Sequence, residues 1–378
     1  MPEGGAPPDA TELRRRFDTA GGFTVGLEEE AMLLDPQTLD LAPVADDLLA
    51  QLARDRRFKR ELPAAQLETA TTPAATVPEA IAQLAIARRD LAAAARGLAL
   101  VAVAAVHPFA PARGRLNRGP PYDPTRTRFG PLAERQLVAA LQVHVAVGGA
   151  ERTLAVMGAL RCFLPELTAL AANGPFHHGE DTGLATIRPL VSQLLPRQGI
   201  PPRIESWEAF VRELSWGRAS GALPQPGSWW WELRPHLVHG TIEVRVPDAQ
   251  TSLGDAAAVA SFVQALVATL AEQYDRGDPL PHAPTWRIEE NRWCALQHGL
   301  DGTMADLTTG ERIATRERLE QLLEELAPAA ERLRAGPFLP LVRALIRRNG
   351  AMAQRDAHES EGIRNLPRWL VERYLEPL

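Results

Sequence analysis

The stretch FTVGLEEEAML, residues 23–33, alternates apolar and polar side chains and carries three consecutive glutamates. Alternation with a period of two predicts a β-strand, in which residues i and i+2 lie on the same face. Glu28 and Glu30 therefore lie together on one face of this strand. Consecutive glutamates repel one another and have low strand propensity, so this face is either exposed to solvent or holds cations.

Three further segments alternate in the same way and place charged or metal-binding side chains on one strand face. They are QLETATT (residues 66–72), LQVHVAV (141–147) and TIEVRV (241–246). The residues that share a face are Gln66 with Glu68, Gln142 with His144, and Glu243 with Arg245. The valines and isoleucine between them are expected to enter a core. Because carboxylates bind hard cations and arginine binds phosphate, the four segments predict a sheet whose polar face is a cation and phosphate site.

Length and composition predict a soluble globular protein. The chain has 378 residues, 45% of them hydrophobic and 23% charged, with a formal net charge of −6 and a pI near 5.9. This charge argues against a nucleic-acid partner. The apolar run at residues 91–106 is too short for a membrane span, and the N-terminus lacks the apolar segment of a secretory signal. Two cysteines, Cys162 and Cys294, exclude a disulfide framework, so we expect buried thiols and a cytoplasmic location.

Basic charge comes almost entirely from arginine, since Lys59 is the only lysine in the chain. A Walker A loop and a Schiff-base enzyme each need a positioned lysine. Lys59 lies in a run of charged residues that predicts the exposed face of a helix. If the protein handles phosphate, arginines and metal ions must therefore bind it.

The order of predicted elements indicates an α+β fold. Residues 1–20 are expected to form a flexible leader and residues 21–378 a single domain. Strands come early and are joined by hairpin-like connections, including a predicted pair at residues 229–234 and 241–246, whereas the chain after residue 255 is mainly helical. This order favours an antiparallel sheet over a doubly wound parallel one. The proline-rich stretch 109–131 predicts a long loop, and its length suggests a lid over the site.

Motifs along the chain resemble the glutamate–cysteine ligase type 2 family, the bacterial carboxylate–amine ligases related to glutamine synthetase. The matching segments are FTVGLEEE (23–30), QLETAT (66–71), NGP (173–175), DTG (181–183), WWELRPH (230–236), GTIEVRVPDAQTS (240–252), ENRW (290–293), HGLD (298–301) and NGAMAQR (349–355). The resemblance implies an antiparallel sheet curved into a half-barrel, as in glutamine synthetase and guanidino kinases, with ATP and Mg²⁺ in its concave funnel. It also implies a reaction in which a carboxylate attacks the γ-phosphate of ATP and an amine then displaces phosphate.

The same resemblance suggests a role for each candidate residue. The expected metal ligands are Glu28, Glu30, Glu68 and Glu243, with His144 a metal ligand or a phosphate contact. Arg245 is expected to act with Glu243 in catalysis by neutralising phosphate. The candidates for binding substrate or ATP are Arg234, Arg188, Arg292 and Arg355, and a surface role stays open for the last three.

The predicted activity is ATP-dependent amide formation, with weak glutamate–cysteine ligase activity. The expected substrates are then L-glutamate or another carboxylate and L-cysteine or another amine. No nucleic-acid or membrane partner is expected, and a homo-oligomer remains possible on the sequence alone. Two alternatives are a phosphotransferase of the guanidino-kinase type and a non-catalytic protein that binds nucleotide or amino acid. The loop containing His177 and His178 lacks the ligand pairs of a zinc site. Because this loop is expected to shape the substrate pocket, the identity of the amine substrate stays open. The tryptophans at residues 229–231 predict packing, with one ring available to a pocket.

Overall fold

The computed structural model describes residues 10–53, 55–223 and 228–378. Its strands are β1 (Val25–Leu34), β2 (Phe58–Arg60), β3 (Gln66–Ala70), β4 (Leu100–Ala102), β5 (Leu141–Val145), β6 (Phe176–His177), β7 (Glu180–Asp181), β8 (Leu233–His236), β9 (Thr241–Val244), β10 (Thr303–Ala305) and β11 (Arg312–Ala314). Seven of them form one sheet in the order β2-β3-β1-β5-β9-β8, with β4 also beside β1. All of its pairings are antiparallel. The predicted α+β class with an antiparallel sheet is confirmed.

The helices surround this sheet and fill most of the C-terminal half of the chain. They are α1 (Ala10–Thr19), α2 (Ala45–Gln51), α3 (Val77–Ala94), α4 (Asp123–Phe129), α5 (Ala150–Leu160), α6 (Leu164–Leu170), α7 (Arg188–Ser192), α8 (Trp207–Ala219), α9 (Leu253–Arg276), α10 (Thr285–His298), α11 (Thr315–Arg332), α12 (Leu339–Arg347), α13 (Gly350–Glu361) and α14 (Leu366–Tyr374). Helix α9 begins where Ser252 accepts a hydrogen bond from the Asp255 amide and ends at Gly277, whose φ of 73° is left-handed.

One face of the sheet packs into the main hydrophobic core. Val143, Val145, Ile242 and Val244 are fully buried there, together with most of α9. The alternation of the strand segments predicted this, because residues opposite the polar positions must point to the other face. Glu29 also lies on this helix-covered face, between Glu28 and Glu30 in sequence.

A buried ion pair satisfies Glu29. Arg88 of α3 contacts both carboxylate oxygens, and its remaining N–H groups donate to the backbone carbonyls of Gln250, Thr251 and Tyr374. Both side chains are 2% exposed or less. The middle glutamate of the triplet therefore connects the sheet to the helices, and the two flanking glutamates are left for the opposite face.

Strand register brings polar residues from distant segments onto that opposite face. Glu30 lies across from Glu68, and Glu68 lies across from Lys59. On the other side of β1, His144 lies across from Glu243, which in turn lies across from Arg234. Because residues directly opposite in an antiparallel pair share a face, the four alternating segments form one continuous polar surface.

Several predicted elements differ from the observed ones. Lys59 lies on the edge strand β2 and not on a helix, because Phe58 is drawn into the core while the next two residues, Lys59 and Arg60, are exposed. Within the expected leader, residues 10–19 form α1, whose Phe17 is fully buried in the main core. The expected loop 109–131 contains α4. The predicted strand at 229–234 begins only at Leu233.

Two apolar helical stretches are long enough to cross a membrane. They are Ala150–Leu170 and Leu253–Arg276, and 89% and 83% of their most apolar windows are buried inside the protein. These stretches belong to the main core, where their apolar residues pack against the sheet and against one another.

Candidate active site

Glu28, His144 and Glu243 form a compact group at the centre of the polar face. One ligand atom from each lies within 4.8 Å of the others. The Nδ1 atom of His144 lies 3.1 Å from the Thr241 hydroxyl, which orients the ring. Its Nε2 atom is buried, has no hydrogen-bond partner and lies 3.7 Å from a Glu28 oxygen. An orphaned nitrogen beside two carboxylates fits a divalent cation.

The ionisable side chains of this group shift one another's pKa values towards the charged forms. Burial raises the pKa of Glu28, but the neighbouring His144 more than offsets this and brings it to about 2. Burial likewise lowers the pKa of His144, yet Glu28 and Glu243 raise it above its usual value. The carboxylates therefore stay ionised at neutral pH, as cation ligands must be.

Two arginines hold Glu243 from either side. Arg234 donates to both of its oxygens, from Nε at 2.7 Å and from Nη2 at 3.0 Å. Arg245 donates to Glu243 and to Gln142 through Nη1. Although burial would raise the pKa of Glu243, these two guanidinium groups keep it well below the usual value. The register predicted this contact for Arg234, which faces Glu243 across the β8–β9 pair.

A second group of carboxylates lies beside the first, towards the edge of the sheet. Glu30 accepts hydrogen bonds from the Ala140 amide at 2.7 Å and from Gln142 at 2.9 Å. Burial raises the pKa of Glu30 to about 7, and burial together with neighbouring carboxylates raises those of Glu61 and Glu68. Lys59 is 2.8 Å from Glu68 and supplies one compensating charge. Buried carboxylates this close together need cations to ionise fully.

Glu61 is a site residue that the sequence pattern did not indicate. It lies in the connection between β2 and β3, where no alternation marks a face. Its position follows from the connection itself, in which Pro63 forms a bridge with Leu116 and the side-chain amide of Asn117 donates to the Glu61 carbonyl. The only feature of the sequence that could have indicated Glu61 is the presence of a further glutamate a few residues before the QLE motif.

A cavity of about 310 Å³ opens against this second group. Its walls come from the sheet, α7, and the segment that includes α4. The residues that line it include Glu30, Glu61, Arg188, Ser192, Leu195, Gln198, Ser228, Trp230, Glu232 and Arg245. Its volume is at the lower end of the range for small-molecule sites. Pro121, Tyr122 and Thr125 also line it, so the stretch predicted as a lid does border the site.

The remaining candidate arginines divide between the cavity and other places. Arg188 lines the cavity and is anchored by Asp248 at 2.7 Å. Arg292 is buried and donates to Glu232, with 3.0 Å from Nε to each oxygen, so it acts through that carboxylate. Arg355 pairs with Asp181 at 2.8 Å and lies outside the cavity lining. The structure therefore places Arg355 as a support for the β6–β7 hairpin.

The features predicted to be structural are packed largely as expected. Trp229 is buried and stacks on Phe210, while Trp230 lines the cavity. Cys162 is buried, whereas Cys294 is only half-buried, so the expectation of two buried thiols is wrong for the second. His177 and His178 lie side by side with their rings 3.7 Å apart. Among the residues that the structure describes, they belong to no group of side chains able to hold a metal ion.

Comparison with solved structures shows which fold this is. The chain is similar to a glutamate–cysteine ligase from Francisella tularensis solved in complex with AMP, with a TM-score of 0.69 at 12% identity over 96% of this chain and 90% of that chain. It is also similar to a bifunctional glutathione synthetase from Pasteurella multocida, with a TM-score of 0.64 at 16% identity over 96% of this chain and 53% of that one. The fold is therefore one that glutamate–cysteine ligases use.

Sequence comparison then shows the family. A family model described as glutamate–cysteine ligase family 2 matches residues 24–366. A relative from Rubrobacter xylanophilus, whose name assigns it provisionally as glutamate–cysteine ligase 2-3, is 37% identical over 95% of this chain and 99% of its own length. A second, from Mycolicibacterium vanbaalenii and provisionally named glutamate–cysteine ligase 2-1, is 34% identical over 92% of each chain. The chain belongs to the glutamate–cysteine ligase family 2, whose members are ligases that form carbon–nitrogen bonds.

Proposed function

We propose that this protein is an ATP-dependent carboxylate–amine ligase that joins L-glutamate, or a related carboxylate, to an amine through an acyl phosphate. The observation that carries the proposal is the polar sheet face, on which the carboxylates of β1, β3 and β9 meet His144 of β5, Arg234 of β8 and Arg245 beside a small cavity. Phosphoryl transfer needs positioning and charge neutralisation more than a protein nucleophile. This face supplies both.

One set of residues on the polar face, Glu28, His144 and Glu243, has the spacing to hold Mg²⁺. The neighbouring carboxylates of Glu30, Glu61 and Glu68 would bind a second ion, since burial and mutual repulsion raise their pKa values and a cation would offset both. When bound, Mg²⁺ neutralises the triphosphate of ATP and the charge that develops during transfer. We further propose that the sheet curves as a half-barrel with this face on its concave side, which agrees with the packing of helices against the opposite face.

In the first half of the proposed reaction, a carboxylate oxygen of the donor attacks the γ-phosphorus of ATP and the bond to ADP breaks. Arg245 lies between Glu243 and Gln142 and would bind the transferred phosphoryl group. Arg188, fixed by Asp248 in the cavity wall, would bind the second carboxylate of the donor. In the second half, the amine nitrogen attacks the acyl carbon, and phosphate and a proton leave as the amide forms.

The assay follows ADP release from Mg²⁺-ATP and L-glutamate, with and without L-cysteine or a panel of amines, and identifies products by mass spectrometry. Amine-dependent ADP release with a matching amide, abolished in Glu243→Ala, supports the ligase. Glu311→Ala serves as the matched control, because this glutamate is exposed and lies outside the site. ADP with a stable phosphorylated product and no amide would favour the phosphotransferase, and no turnover with any pair would favour a binding protein.

The substrates are small molecules, and the two free thiols agree with a cytoplasmic location. The main core includes side chains from helices as far apart in the chain as α1 and α12, which supports a single catalytic domain.

A further inference from the structure

A second cavity, of about 640 Å³, lies outside the candidate active site. Its walls come from the β10–β11 hairpin with its turn, from α11, and from the segment that joins α5 to α6. Within the described part of the chain, no residue lines both cavities. Helix α10 borders each with a different residue, because Asn291 lines the second cavity whereas Arg292 holds Glu232 in the wall of the first.

Glu166 of α6 is a buried carboxylate in the wall of the second cavity. It is 6% exposed, and its Oε1 atom accepts a hydrogen bond from Arg318 Nε at 3.3 Å. Its Oε2 atom is buried and has no hydrogen-bond partner. Burial raises the pKa of Glu166, and the charge of Arg318 offsets only part of this effect. A further donor with positive charge would therefore satisfy the free oxygen and stabilise the ionised form.

The charge along this cavity also favours a cation. Among the lining residues that the structure describes, carboxylates outnumber arginines. Asp306 accepts hydrogen bonds from two backbone amides of the hairpin turn, which lower its pKa and keep it ionised at neutral pH. Both arginines are already engaged, Arg318 by Glu166 and Arg312 by the Thr303 hydroxyl. An entering cation therefore meets uncompensated negative charge.

A carboxylate of this protein can hold two cationic groups at once. Glu243 does so in the candidate active site, where Arg234 and Arg245 both donate to it. Glu166 has an arginine on one oxygen only, so its second oxygen fits the N–H group of an ammonium.

The rest of the wall distinguishes an organic cation from a metal ion. In the described residues, no group of carboxylates around this cavity has the spacing of a metal site. Phe163, Met304, Leu307 and Ile313 instead give the cavity an apolar wall. Such a surface binds a carbon skeleton and offers no ligand atom to a hard cation.

We propose that the second cavity binds a small organic cation, whose ammonium group pairs with Glu166 and whose carbon skeleton packs on the apolar wall. This site is separate from the candidate active site, so the proposal goes beyond the ligase reaction and does not depend on it.

Benzylamine and benzyl alcohol test the proposal, because they have the same shape and differ in the charged group. Isothermal titration calorimetry on the full chain at neutral pH should show that benzylamine binds at least about tenfold more tightly. Equal affinities for the two compounds, or no binding of benzylamine at millimolar concentration, would overturn the proposal.

Variants test the part assigned to Glu166. Glu166→Gln keeps the shape of the side chain and removes its charge, so it should weaken benzylamine binding about tenfold and leave benzyl alcohol unchanged. Glu272→Gln is the matched control, because Glu272 also pairs with one arginine but lies outside the cavity. If Glu166→Gln weakened both compounds equally, Glu166 would have a structural role only and the proposal would be wrong.

Two further variants keep the test decisive. Thr308→Arg adds a cation at an exposed position of the wall, so it should weaken benzylamine binding even if Glu166→Gln does not fold. Glu243→Ala removes a carboxylate of the candidate active site and should leave benzylamine binding unchanged. Binding that is lost in Glu243→Ala and retained in Thr308→Arg would assign the amine to the active site and overturn the proposal.

Discussion

The metal-free protein should lose stability as the pH rises, because Glu30 must ionise in a buried site. Burial is the largest influence on this carboxyl and raises its pKa from 4.5 to about 7, despite the opposing charge of Arg245. A pKa that is higher in the folded state means that the folded protein binds the proton more tightly. The resulting stabilisation is complete below pH 4.5 and is lost as the pH rises through about 7.

The magnitude follows from the size of this shift. Raising the pKa of one group from 4.5 to about 7 corresponds to about 3 kcal/mol in the free energy of unfolding. Glu61 and Glu68 act in the same direction, since their pKa values are also raised. Glu28 acts in a separate range, because its pKa of about 2 removes stability only as the pH falls below 4.5.

Urea denaturation in the presence of EDTA, at several pH values from about 4.5 to 8, measures the effect. Glu30→Gln cannot ionise, so its stability should fall by about 3 kcal/mol less than that of the wild type over this range. Mg²⁺ should restore most of the lost stability near neutral pH, because it binds the folded state. Parallel pH dependences for wild type and Glu30→Gln would refute the reasoning.

Glu29→Ala should lower the free energy of unfolding, measured by urea denaturation, by about 3–5 kcal/mol, because it leaves the buried charge of Arg88 without a partner. A decrease below about 1 kcal/mol would contradict this. Iodoacetamide at about pH 8 should modify the half-buried Cys294 and spare Cys162, whose burial raises its pKa to about 11. Peptide mass mapping checks this, and equal modification of both thiols would oppose it. Shortening the loop at residues 109–131 should lower turnover but leave the melting temperature nearly unchanged, and an unaltered rate would rule out a lid.

The agreement between predicted and observed strands has a simple cause. In β1, β3, β5 and β9 the apolar positions repeat every second residue, and a half-buried strand is the structure that places such residues on one side. The predictions were poorer where one buried residue governed a short element. Phe58 draws β2 into the sheet, and the charged residues around it therefore did not indicate a strand.

Local sequence did not indicate which residues outside these strands join the site. Glu61 lies in the irregular connection between β2 and β3, where no period relates a side chain to a face. Arg292 and Arg355 were equally plausible candidates, because both are arginines in helices. They are distinguished by distant partners, since Arg292 reaches Glu232 in the cavity wall and Arg355 pairs with Asp181 in a hairpin.

The sequence was sufficient to predict the α+β class, the polar sheet face and the family resemblance. It was also sufficient to select the candidate ligands, because alternation and residue chemistry are local properties. These candidates are Glu28, Glu30, Glu68, His144 and Glu243. Strand order and register required the tertiary structure, and they place Glu68, Glu30, His144 and Glu243 on neighbouring strands. The tertiary structure also showed that Glu29 forms a buried pair and that Glu232 faces the cavity. Both depend on contacts between residues far apart in the chain, which packing alone creates.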